Sequence, residues 1–207
     1  MYIELIGVNR FYLFVVTIAF HSLLFIYVIL NFTIATFMDP GRFPKQDVFN
    51  SLNDEQIKLQ TNGNYKNVLI NDINVRMKWC TTCQFYRPPR SSHCGVCNAC
   101  IDTMDHHCPW VSNCIARRNY KYFLFFLITL TIHMLIILSL CLVLVLLNKE
   151  NLTQLPIMVS IFLIILTSLL LIPVGGLTGF HLGKTIFMCI NSFHFFPKNL
   201  SLYKFSF

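Results

Sequence analysis

Between Cys80 and Cys114 the chain places seven cysteines and three histidines. Thiolates and neutral imidazoles are metal ligands, and a structural zinc takes four of them in a tetrahedron. The spacing is C-x-x-C at Cys80 and Cys83, then His93-Cys94, then C-x-x-C-x-x-C at Cys94, Cys97 and Cys100, then His106-His107-Cys108, and last Cys114. A C-x-x-C pair curls so that both sulfurs reach one ion, which makes each pair a half-site. His93 and Cys94 are adjacent, point different ways and so serve different ions. The pattern implies two interleaved zinc sites that use eight of the ten groups. One cysteine and one histidine are left without a metal. A spare thiolate beside a histidine is a nucleophile whose neighbour lowers its pKa or takes its proton, and a carboxylate can fix that histidine's tautomer. Cys108 has His106 and His107 beside it and Asp105 in reach. Spacing alone leaves open whether Cys108 or Cys114 is the spare cysteine, and which histidine goes with it.

These groups sit in an apolar chain. It is 55% hydrophobic and 12% charged, with a mean hydropathy of +0.59 and a net charge of +7. A soluble domain carries roughly 25% charged residues, so the composition implies an integral membrane protein. In that setting the positive charge suits an anionic leaflet or a phosphate-bearing cofactor, not nucleic acid. Three apolar runs reach the roughly 20 residues that a helix needs to cross a bilayer. They are Phe11 to Met38, Tyr122 to Leu147 and Leu155 to Phe180. Pro156 suits the first turn of the third, while Pro173, Gly175 and Gly176 are expected to loosen its far end. The first run is too long for a signal-peptide core, and the residues before it carry Glu4 as well as Arg10.

Arg42 and Lys45 follow the first span, Arg117, Arg118 and Lys121 precede the second, and Lys184 follows the third. The positive-inside rule then puts residues 39–121 and the tail in the cytosol, where cysteines stay reduced. Gln46 to Asn67 reads as a polar linker, and Asn67 to Trp79 as a hairpin around Asn71-Asp72. The fold class is therefore a mainly α-helical membrane protein. Its small cytosolic, hairpin-rich two-zinc domain lies between the first and second of three helices. The organisation is a helix in 1–38, linker and hairpin in 39–79, the cysteine-rich domain in 80–121, a helix in 122–147, a non-cytosolic loop in 148–154, a helix in 155–182 and a cytosolic tail in 183–207. His21 and His133 lie inside spans and read as neutral histidines bonded to a neighbouring helix. Cys141 reads as a small hydrophobe, and Cys189 lies in the tail near the membrane.

The stretch "CTTCQFYRPPRSSHCGVCNACIDTMDHHCPWVSNCIARRNYKYF", from Cys80 to Phe123, resembles the DHHC family of protein S-acyltransferases (palmitoyltransferases). "MDPGRFP" resembles the family's Asp-Pro-Gly motif at Asp39 to Gly41, and "VRMKWC" with "RFP" resembles its long-tailed, plasma-membrane-type subgroup. The resemblance implies one zinc on Cys80, Cys83, His93 and Cys100 and another on Cys94, Cys97, His107 and Cys114. Cys108 is then the nucleophile, His106 the general base and Asp105 its orienter. It further implies that an acyl group passes from palmitoyl-CoA through a Cys108 acyl-enzyme to membrane-proximal cysteines of substrate proteins. The spans would hold the acyl chain, and Arg117, Arg118 and Lys121 could meet CoA phosphates. The plasma membrane, Golgi or endoplasmic reticulum is the expected location.

The sequence departs from the family at three points. The family core has four spans and three are read here, the first being the one missing. No Thr-Thr-x-Glu motif follows the last span, and Ala116 stands where a glycine is usual. The chain thus reads as truncated at both ends. A catalytically impaired isoform or fragment, serving as a zinc-structured membrane adaptor, is the alternative function. A RING-type ubiquitin ligase lacks its second C-x-x-C pair here, since Cys108 and Cys114 are six apart. A nucleic-acid-binding finger lacks its H-x-x-x-H helix.

Overall fold

Runs of Leu, Ile, Phe and Val without interior charge have no stable place in water, but as helices they satisfy their own backbone in lipid. The computed structural model describes residues 2–44, 65–70 and 73–195, and three such helices are present among them. Helix α1 spans Tyr2–Phe37, α2 spans Tyr120–Leu147 and α3 spans Leu155–Phe195. Within them the stretches Tyr12–Phe37, Tyr120–Leu147 and Leu155–Cys189 are long and apolar enough to cross a membrane. Most of their side chains face outward, among them Phe14, Leu23, Leu144, Phe162, Ile172 and Phe180. An apolar surface of that extent belongs in lipid.

The chain divides into two units, residues 1–31 with 124–207, and residues 32–123. In the first unit, polar side chains meet where helices touch. Thr178 donates to the Val174 carbonyl at 2.8 Å, and its hydroxyl lies 2.8 Å from that of Thr131. His21 and His133 meet edge to face, with centroids 5.4 Å apart. The expected bond of each histidine to a neighbouring helix is thus a ring contact, and Nδ1 of His133 is buried without a hydrogen-bond partner. Helix α3 also departs from expectation. It runs through Pro173, Gly175 and Gly176 and on to Phe195. Hydropathy marks where lipid ends, not where a helix ends. Past Phe180 the residues are helix-permissive, and Thr185 folds its hydroxyl back to the His181 carbonyl at 2.8 Å.

Among the described residues the second unit holds seven short strands: β1 Tyr65–Ile70, β2 Ile73–Cys80, β3 Phe85–Tyr86, β4 Ser92–Cys94, β5 Ala99–Ile101, β6 His106–Cys108 and β7 Asn113–Ile115. All pairings are antiparallel. β1, β2 and β3 form one small sheet in that order, and β4–β5 and β6–β7 are separate hairpins. The hairpin expected around Asn71-Asp72 is β1–β2, with Val68 opposite Val75. The polar linker up to residue 64, the turn residues 71 and 72 and the tail from residue 196 lie outside the described residues.

The segment after α1 is tied into this unit by its backbone. Asp102 donates to the Gly41 carbonyl at 2.9 Å, and Phe43 donates to the Cys100 carbonyl at 2.8 Å, so residues 41–43 lie along β5. Asp39 Oδ1 accepts from the N–H groups of Gly41 and Arg42 at 3.3 and 3.2 Å, and its other oxygen accepts from Arg118. Pro40 ends the helix. Gly41 has φ +107°, and a Cβ there would stand 3.4 Å from the Asp102 side chain. Such a backbone is strained for any L side chain. Gly41→Ala is expected to cost about 1–2 kcal/mol. A thermal melt in detergent should show the midpoint fall by several degrees, while Gly95→Ala, which meets open space, should leave it in place.

Candidate functional site

A hairpin of three-residue strands has too little apolar material to bury a core of its own. Here the place of that core is taken by two clusters of sulfur and nitrogen. Each begins with a C-x-x-C turn and the same backbone device. The residue after the second cysteine adopts the left-handed region, Gln84 at φ 57° after Cys83 and Asn98 at φ 48° after Cys97. That conformation turns the chain so that both thiols of the pair face one point. Asparagine tolerates it well. Each cluster is completed by a histidine and a cysteine that face each other across the next hairpin. His93 is opposite Cys100 in β4–β5, and His107 is opposite Cys114 in β6–β7. Directly opposed residues have Cβ atoms roughly 5 Å apart, close enough to share an ion.

The result is two groups, Cys80, Cys83, His93 and Cys100, and Cys94, Cys97, His107 and Cys114. In each, all ligand atoms lie within 4.8 Å of one another. His93 Nδ1 stands 3.6, 3.4 and 3.8 Å from the sulfurs of Cys80, Cys83 and Cys100. His107 Nδ1 stands 3.7, 3.5 and 3.6 Å from those of Cys94, Cys97 and Cys114. A tetrahedral ion with bonds of about 2.3 Å to sulfur and about 2.0 Å to nitrogen makes edges of about 3.6 Å. The donors thus have the spacing of a coordination shell. Their electrostatics ask for a cation as well. Burial and the neighbouring Cys80 and Cys83 sulfurs push the Cys100 thiol up, and Cys94 and Cys97 do the same to Cys114. A metal relieves that cost by holding the sulfurs as thiolates.

Side chains alternate faces along a strand. With His107 turned to the second cluster, His106 and Cys108 share the opposite face of β6. Asp105, whose N–H donates to the Ile115 carbonyl at 2.9 Å, precedes them and sets its Oδ2 3.1 Å from Nδ1 of His106. Phe123 is buried with its ring edge-to-face to the imidazole, centroids 5.5 Å apart. The carboxylate and the Cys108 sulfur, both hydrogen-bonded to the ring, raise His106 from 6.5 to about 9 against the effect of burial. Burial pushes the Cys108 thiol up, but the hydrogen bond from His106 and the N–H groups of Val111 and Trp110 outweigh it, and the net shift is down. The two shifts run in the same sense, toward a thiolate on Cys108 and a proton on His106. Cys108 is itself buried, while Trp110, two residues on, is 88% exposed.

Arg117 and Arg118, expected at phosphates, each meet a carboxylate. Arg117 reaches Asp102 at 3.2 Å, and Arg118 reaches Asp39. Lys121 sits with its ammonium 5.0 Å from the Tyr122 ring centre. Two residues that the sequence reading did not single out are Asn113 and Asn119, both buried beside Cys114. Their only sequence signal is that an amide within a few residues of Cys114, in a stretch this short, must be hydrogen-bonded somewhere.

Two outcomes test this geometry. Metal analysis should find about two tetrahedral ions per chain, with Cys100→Ser and Cys114→Ser each losing about one. Alkylation of Cys108 by iodoacetamide, followed against pH, should have its midpoint below the roughly 8.5 of a free thiol. The raised His106 keeps its charge until about pH 9, so His106→Ala should move that midpoint up. An unchanged midpoint would show that the imidazole does not poise the sulfur.

A family model described as DHHC palmitoyltransferase matches residues 73–196, which takes in every group above except Asp39 and its neighbours. Palmitoyltransferase ZDHHC8 of Drosophila melanogaster is 53% identical over 165 residues, 80% of this chain and 17% of that protein. Palmitoyltransferase ZDHHC8B of Danio rerio is 50% identical over 164 residues, 79% of this chain and 21% of its own length. Palmitoyltransferase ZDHHC5 of Canis lupus familiaris is 47% identical over 163 residues, 78% and 22%. The chain thus spans about a fifth of the length of these relatives. With the family model covering more than half of its residues, and the cysteine-rich unit and apolar helices in place, the chain is a membrane protein of the DHHC palmitoyltransferase family.

Proposed function

We propose that the chain is a protein S-palmitoyltransferase that moves a long-chain acyl group from acyl-CoA to cysteine thiols of substrate proteins. The observation that carries this reading is the face of β6 on which His106 and Cys108 stand together, with Asp105 on the imidazole. A thiolate is the attacking species that thioester exchange needs, and the hydrogen bond from His106 favours it on Cys108.

In the first step the Cys108 thiolate attacks the thioester carbonyl of palmitoyl-CoA. The new carbon–sulfur bond forms as the one to CoA breaks, and the imidazolium of His106 gives its proton to the departing CoA thiolate. In the second step neutral His106 takes the proton of a substrate cysteine, whose sulfur attacks the acyl carbonyl and releases Cys108 as thiolate. Each step exchanges one thioester for another, so catalysis needs poise and placement more than driving force. Asp105 keeps Nδ1 of His106 in one orientation, which leaves Nε2 for the sulfur.

The two donor clusters would each hold a structural zinc. On Cys80, Cys83, His93 and Cys100, and on Cys94, Cys97, His107 and Cys114, zinc supplies folding energy and no chemistry. Arg117, Arg118 and Lys121 are the groups proposed to meet CoA phosphates. Both guanidiniums are more than half exposed and keep donors beyond those bonded to Asp102 and Asp39. Substrates would be proteins whose cysteines lie close to the membrane. The site would face the cytosol from the plasma membrane, Golgi or endoplasmic reticulum.

The test is to incubate the detergent-purified chain with labelled palmitoyl-CoA beside Cys108→Ser. A hydroxylamine-labile label that disappears in the variant is the expected result. Full metal content with no label on the parent chain would refute the enzyme.

A further inference from the structure

Helix α1 ends at Phe37, and its last carbonyls have no partner within the helix. The Ile34 carbonyl is taken by the N–H of Met38 at 2.9 Å. The next are not left to water. Asn113 Nδ2 donates to the carbonyls of Thr36 and Met38 at 3.0 and 2.9 Å and approaches that of Ala35 at 3.4 Å. Asn119 Nδ2 donates to Ala35 at 3.1 Å and to Cys114 at 2.8 Å. The amide oxygens are used too. Asn113 Oδ1 accepts from Cys114 N–H, and Asn119 Oδ1 from Ala116 N–H, both at 2.9 Å. Reversing either amide would aim an oxygen at carbonyls, so the network fixes their orientation. Both side chains are at least nine-tenths buried, with 3% and 0% of their surface exposed.

This cap comes from residues 75 to 84 positions away in the chain. It comes, moreover, from the strand that faces the nucleophile. Asn113 is the direct antiparallel partner of Cys108. Alternation along β7 turns Cys114 to the metal cluster and Asn113 to the face that carries Cys108. The connecting residues are tight: Val111 donates to the Cys108 carbonyl at 3.3 Å, and Ser112 sits at φ 49°.

We propose that Asn113 and Asn119 are positioning residues, which lock the Cys108 hairpin to the final turn of α1 so that the reactive sulfur keeps one height relative to the end of the first span. The proposal rests on the reading of Cys108 as the acyl-accepting nucleophile. A palmitoyl chain held in the bilayer reaches its thioester only to a fixed depth. A small soluble electrophile has no such constraint. The joint therefore matters for the lipid substrate and not for the intrinsic reactivity of the thiol.

Asn113→Ala and Asn119→Ala would be made in the full chain, with Cys141 and Cys189 changed to serine, and placed in lipid nanodiscs. Metal content, iodoacetamide alkylation of Cys108, self-acylation by palmitoyl-CoA, and the line shape and depth of a nitroxide on Cys108 would be read in parallel. The expected result is retained metal, an unchanged alkylation rate, self-acylation slower by about tenfold or more, and a nitroxide that gains a mobile component and a spread of depths. If one variant loses metal, the other decides. A nitroxide of unaltered line shape and depth in metal-loaded variants would overturn the joint. So would loss of metal from both variants, or alkylation that slows as much as acylation, since each marks a general structural role. If the parent chain takes no palmitoyl label, the acyltransferase reading fails, and the nitroxide still judges the joint.

Discussion

His107 and Cys114 face each other across β6 and β7, and the placement of His106, Cys108 and Asn113 follows from that pairing. Because the pair looks toward Cys94 and Cys97, the other face of the same two strands carries none of that cluster's donors. On it stand His106 and Cys108 from one strand and Asn113 from the other. The donor cluster does for this hairpin what an apolar core does for a larger one, and it fixes direction as well as stability. A hydrophobic contact tolerates sliding. Four donors with edges near 3.6 Å, once they hold an ion, would not, and the orientation of His106 would inherit the rigidity of that geometry.

The same economy appears in the charges. Asp39 and Asp102 sit at the two places where the segment after α1 meets the cysteine-rich unit, and each takes one arginine from the pair at 117 and 118. The tie between β5 and Gly41 is thus flanked by ion pairs on exposed side chains, which contribute little to stability one by one. Their effect is on register. They hold Arg117 and Arg118 at the edge of the hairpin, where freely swinging basic side chains would otherwise occupy a wide volume.

Much of this could be read from residue spacing. The C-x-x-C turns, the two interleaved sets of donors, the hairpin around Asn71-Asp72 and the three apolar runs follow from local chemistry and period. The identity of the spare cysteine and histidine did not. It depends on which residues lie opposite one another in strands three residues long, and spacing carries no register. Strand alternation across His106-His107-Cys108 would have narrowed the choice had β6 been assigned beforehand. Asn113 and Asn119 were out of reach for a different reason, since their partners are backbone carbonyls of a helix far away in sequence. The length of α3 was underestimated because its end was set where the apolar run stops, near Phe180, whereas the helix continues to Phe195.

The three-residue strands have one more implication. Substituting a side chain on β6 or β7 changes one contact, but inserting or deleting a single residue there exchanges the two faces. After such a shift by one, His106 or Cys108 would turn toward the Cys94–Cys97 cluster, and His107 or Cys114 would turn away from it. A change in the length of this hairpin would therefore bring Cys108 or His106 to the donor cluster and take His107 or Cys114 away from it in one step.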